Sequence, residues 1–68
     1  MDERTAKLAG EARAAREKME AVRRRYHAKI ASYDELAEAG KAFCAAFDAY
    51  HLARFGKRKR LDFRAVIR

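Results

Sequence analysis

An all-α fold, built as an antiparallel helical hairpin, is what this sequence predicts, and three observations predict it. The 68 residues contain no proline and only three glycines. Alanine, the best helix former, occurs sixteen times. Apolar positions recur in steps of three and four on either side of one central break, the spacing of one helix face.

The first helix is expected over about residues 3–31. Its stripe runs Leu8, Ala12, Ala15, Met19, Val22, Tyr26, Ile30 and Tyr33, close to a 3.5-residue repeat. Its other face alternates charges at four-residue spacing, with Glu3 and Lys7, Lys7 and Glu11, Arg13 and Glu17, Arg16 and Glu20, and Glu20 and Arg24. A rod of that length is not stabilised by its own contacts, so it needs a partner helix.

The break falls at Ser32-Tyr33-Asp34-Glu35, where Ser32 and Glu35 have the spacing of a capping box. Without glycine or proline there, one continuous helix through Ser32 is the competing reading. The second helix is expected from Asp34 to Phe55, ended by Gly56 as C-cap. Its stripe is Leu36, Gly40, Phe43, Phe47 and Tyr50, widened by Cys44, Leu52 and Phe55. One helix thus brings alanines and the other brings bulk, which suits close packing. A turn near residue 33 sets Val22 near Phe43 or Cys44, Met19 near Phe47, Lys18 near Asp48 and Lys29 near Glu38. Two helices cannot enclose four phenylalanines, so a homodimer forming a four-helix bundle is expected, with Met19, Val22, Tyr26, Phe43, Phe47 and Tyr50 as core and dimer residues.

Residues 1–56 form the hairpin in this reading, and 57–68 form a basic tail with an apolar docking segment. Of the net charge of +7, five units lie in residues 57–68. Within it Leu61, Phe63, Ala65 and Ile67 alternate as in a strand, while Asp62 has the chemistry to cap a short third helix; the pattern leaves both open.

An excess of cations is the footprint of a protein that meets polyanions. The expected nucleic-acid contacts are Lys57, Arg58, Lys59 and Arg60, joined by Arg23, Arg24, Arg25 and Lys29. The second class of function is an interaction module that docks Leu61, Phe63, Val66 and Ile67 on a partner protein, steered by the basic run toward an acidic surface. Cys44 stands alone, which rules out an internal disulfide, suits a reducing compartment and reads as a buried small hydrophobe. Asp48 and His51 have the i, i+3 spacing of bundle metal sites, with Glu20 a third donor, but so small a set reads more simply as a stripe edge. The two aliphatic hydroxyls, Thr5 and Ser32, stand where helix caps are expected, and no base, loop or carboxylate cluster accompanies them. No enzyme activity, cofactor or metal is expected. Without a long apolar run or an apolar leader, a cytoplasmic protein is expected.

The stretch Leu52-Ala53-Arg54-Phe55-Gly56 is similar to the end of the second helix in the Rop family of plasmid copy-number regulators. That resemblance covers five residues and implies a dimer of helical hairpins that binds paired RNA loops; the basic tail has no counterpart there, and no RNA-contacting position carries over.

Overall fold

Three helices appear in the computed structural model, which describes residues 2–68: α1 (Glu3–His27), α2 (Tyr33–Phe55) and α3 (Phe63–Val66). The first two pack as an antiparallel hairpin 40 Å long, and α3 lies against α2. The described tail is therefore a short helix rather than a strand.

Each helix start has a side-chain cap that takes up an otherwise orphaned backbone donor. Asp2 caps α1 by accepting the Thr5 N–H at 2.7 Å, so Thr5 is inside the first turn and buried instead of being the cap itself. Ser32 caps α2 by accepting the Glu35 N–H at 3.2 Å. Only that half of the capping box forms, because the Glu35 carboxylate turns to Arg25 at 3.0 Å. Gly56 ends α2 in the left-handed conformation, φ 71°, where glycine carries no Cβ penalty.

The end of α1 departs from expectation by four residues. Lys29 adopts φ 65°, its N–H bonds the Tyr26 carbonyl at 3.0 Å, and the Ile30 N–H bonds the Arg25 carbonyl at 2.9 Å. That pair of bonds is a Schellman motif, formed here with lysine where glycine is usual. Tyr26 meets both His27 and Tyr33 edge to face at 5.7 and 6.1 Å, closing the turn with aromatic contacts. Ile30 falls out of the stripe and is 72% exposed.

The earlier turn shifts the register of the hairpin. Arg25 pairs with Glu35, Lys18 lines the same groove as Glu38, and Met19 and Val22 share a cluster with Leu36 and Ala39. Neither Lys18–Asp48 nor Lys29–Glu38 forms; among the described residues the ion pairs are Arg25–Glu35 and Arg16–Glu20. Ile67 completes the cluster at 5% exposure, beside Leu36 at 2% and Met19 at 3%. The core therefore sits between the two long helices and is lidded by the tail. Seating Ile67 contributes roughly 1.5–3 kcal/mol.

Candidate nucleic-acid interface

Beyond Gly56 the chain reverses and runs back along α2 toward the turn of the hairpin. Two polar contacts guide it: His51 Nδ1–H donates to the Lys57 carbonyl at 2.7 Å, and the Lys59 N–H donates to Asp48 Oδ1 at 3.0 Å. Asp48 and His51, the two residues with metal-site spacing, thus hold the tail. Among the described residues no three metal-binding side chains converge.

Asp62 then caps α3 by accepting the Arg64 N–H at 3.0 Å. At the far end Arg23 Nη1 donates to the main-chain oxygens of Val66 and Arg68, at 3.3 and 3.1 Å. α3 can approach because position 40 is glycine: a Cβ there would stand 2.5 Å from Ile67 Cγ2 and 3.6 Å from Phe63 Cβ. A glycine in the middle of an alanine-rich helix costs about 1 kcal/mol against alanine, and here it makes the seat for the tail.

The result is a row of cations in fixed order. Lys57, Arg58, Lys59, Arg60, Arg64 and Arg68 are all exposed along it. Phe63 is half-buried beneath the row, with Lys41 Nζ 5.1 Å and the Arg64 guanidinium 5.8 Å from its ring centre, within range of cation–π attraction. Lys41, Arg64 and Arg68 were missing from the sequence-level set, because their neighbourhood exists only once the tail folds back.

Helix geometry separates the other sequence-level candidates. Arg23 is half-buried and grips the tail, Arg24 is exposed, and Arg25 turns to Glu35 on another side of α1. Lys29 is exposed in the turn. Among the docking candidates, Phe63 and Val66 are half-buried against the chain's own hairpin, Ile67 is buried in it, and Leu61 is half-buried. Met19 and Val22 are buried; Tyr26, Phe43, Phe47 and Tyr50 are half-buried. Phe47 touches Phe43, Tyr50 and His51 at 5.9–6.3 Å, and the stack continues from His51 to Phe55 at 4.7 Å. Phe55 at its end is 56% exposed.

Cys44 is half-buried, less deeply than its place in the stripe suggested. Burial pushes its thiol pKa up, and the nearby Asp62 charge adds to the effect. A thiol held neutral in this way is a poor nucleophile. No helix is long and apolar enough to cross a membrane among the described residues. Comparison with known proteins finds no family model that matches the chain, and neither a curated protein nor a solved structure that is significantly similar to it.

Proposed function

We propose that this protein is a small nucleic-acid-binding accessory or regulatory factor that acts as a pair of hairpins, with the folded-back tail as its contact surface. The observation that carries the reading is the fixed course of the tail: six exposed cations held in order by Asp48, His51, Arg23 and the buried Ile67. Charges arranged before binding lose less conformational freedom on meeting phosphates than a loose tail does. Neutralising phosphates releases counterions, and six contacts to duplex give a salt slope near −5 on logarithmic axes. Fluorescence anisotropy with labelled duplex and single strands is the test. Affinity is expected to fall about a thousandfold between roughly 50 and 200 mM salt; a flat response, or no binding at the lower salt, removes the reading.

Pairing is supported by surface area. The chain exposes 5115 Å², whereas a compact monomer of its mass exposes about 4,400 Å². The elongated shape, 40 × 19 × 13 Å, leaves that surplus of about 700 Å² on long faces of the hairpin, where a second copy would cover part of it. An adaptor that offers its C-terminal segment to another protein is the second reading. It requires Ile67 to leave the core, at about 1.5–3 kcal/mol, so its partner competes with the hairpin itself. Pull-down with and without residues 61–68 tests it: capture that vanishes on deletion, with salt-dependent nucleic-acid affinity absent from the intact chain, favours the adaptor.

A further inference from the structure

We infer that the two copies meet through the alanine-lined groove on the side of the hairpin away from the tail. This rests on the pairing proposed above and assigns its surface. The groove has a volume of 610 Å³ and a floor of Ala15, Ala21, Ala39 and Ala42. Its wall on α2 is turned from the tail: Glu38 and Ala42 stand roughly half a helical turn around from Gly40 and His51, which the tail covers.

Charge selects this face over the aromatic edge. In the groove two cations, Lys18 and Arg25, stand along the α1 rim, and three carboxylates, Asp34, Glu35 and Glu38, stand along the α2 rim. That is a local balance of about one negative charge in a molecule of net charge +7. A two-fold apposition that lays α1 of one copy over α2 of the other brings each cationic rim against a carboxylate rim. The same complementarity is satisfied twice, as an isologous interface demands.

The aromatic edge has no such balance. Arg13 and Arg16 line the cleft with Phe43, Phe47 and Tyr50, Arg54 lies 5.4 Å from the Phe55 ring centre, and the basic tail runs alongside, so cations stay in excess there even with Arg16 paired to Glu20 at 3.2 Å. Two copies meeting there would press like charges together. Alanines in the groove also allow helix axes to approach to about 8 Å, the short end of the usual range. Pairing through the groove leaves both basic tails on outward faces.

Sedimentation equilibrium, with circular dichroism to verify helicity, tests the assignment on three chains: the wild type, Ala42→Arg and Phe55→Ser. Ala42 and Phe55 are both exposed in the single chain, so each substitution leaves the hairpin intact. The wild type and Phe55→Ser are expected at twice the 7.8 kDa chain mass, and Ala42→Arg at the single mass. Glu38→Lys alone is expected to weaken association at least roughly tenfold by placing like charges opposite each other. Combining it with Lys18→Glu should recover most of that loss. A dimeric Ala42→Arg, or a monomeric Phe55→Ser, overturns the face and leaves pairing standing. A wild type that stays monomeric up to millimolar loading overturns both, whatever anisotropy says of nucleic acid.

Discussion

Replacing Gly40 with alanine sets two effects of known sign against each other. In a free helix the change is favourable by about 1 kcal/mol, because glycine loses the most backbone freedom on folding. Here the new Cβ would stand 2.5 Å from Ile67 Cγ2, far inside contact distance. That methyl is attached at Cβ of a β-branched side chain with a stiff χ1, so it cannot swing clear while the backbone stays in place. α3 must lift, and Ile67 loses the roughly 1.5–3 kcal/mol of its burial. The net expectation is a loss of about 0.5–2 kcal/mol. Urea denaturation followed by circular dichroism measures it, and the decisive form is a double-mutant cycle with Ile67→Ala. Truncating Ile67 alone should cost about 2–3 kcal/mol, the lower part of the usual core range. Adding Gly40→Ala in that background should then be stabilising by up to about 1 kcal/mol, since the clashing methyl is gone. If Gly40→Ala stabilises both backgrounds equally, the tail does not sit on Gly40 and the reasoning fails.

Three further outcomes follow from the capping and titration of single residues. Lys29→Gly should stabilise the fold by about 1 kcal/mol, because lysine bears the Cβ penalty of a left-handed residue at φ 65°; thermal melts showing a loss would contradict the Schellman ending of α1. Asp62→Asn should lower the Cys44 thiol pKa by removing a repelling charge while keeping a cap acceptor, so iodoacetamide labels Cys44 faster at a fixed mildly alkaline pH. An unchanged rate would show that the tail does not bring Asp62 to that thiol. The Asp2 carboxyl is held below its usual range chiefly by hydrogen bonds from the Thr5 side chain and backbone, so its ionised form favours the fold. That contribution is full above the ordinary carboxylate range and disappears as pH falls through the depressed value. The stability difference between wild type and Asp2→Asn should therefore be present at neutral pH and vanish in acid, and a difference that grows in acid would refute the cap.

The hairpin was legible because its signals are local and mutually consistent. Ser32 and Gly56 mark the limits of α2 through backbone chemistry that needs no tertiary contact. The stripe from Leu8 to Tyr26 names the face that α1 turns to its partner, and Met19 and Val22 are buried on it. The end of α1 was not legible, since nothing in Ala28-Lys29-Ile30 marks a stop and lysine is an unusual occupant of the left-handed site. The earlier stop shifts the turn, so neither Lys18–Asp48 nor Lys29–Glu38 forms, while Phe43 still packs against the cluster that holds Val22. The tail was half legible. Asp62 pointed to the cap of a short third helix, and four large apolar side chains pointed to docking on a partner protein, but the seat on the chain's own hairpin is a non-local fact, written only in Gly40 and in the match between Ile67 and the gap beside Leu36. For the same reason the basic surface was drawn from two charged runs, although helix geometry divides Arg23, Arg24 and Arg25 and the fold brings Lys41 and Arg64 together around Phe63.

One segment thus closes the core and carries the cations, so under the proposed function folding and polyanion binding are linked. A ligand that binds only the seated tail stabilises it by mass action, about 2.7 kcal/mol at a hundred times its dissociation constant. That is comparable to the contribution of Ile67, so nucleic acid should raise the melting temperature. The link also separates position from charge. Gly40→Ala changes no charge and leaves all six tail cations free to reach phosphates, so the salt slope should stay the same. What changes is that the tail must now be ordered at the moment of binding, which lowers affinity by a similar factor at every salt concentration. Arg58→Gln does the converse: the tail stays seated, one phosphate contact is lost, and the slope flattens by about 0.9 on duplex. Parallel displacement for Gly40→Ala and a changed slope for Arg58→Gln would together assign the binding to a preorganised tail. Equal affinities for Gly40→Ala and the wild type would mean that the cations act as a loose polyelectrolyte, and that the seat at Gly40 serves the fold alone.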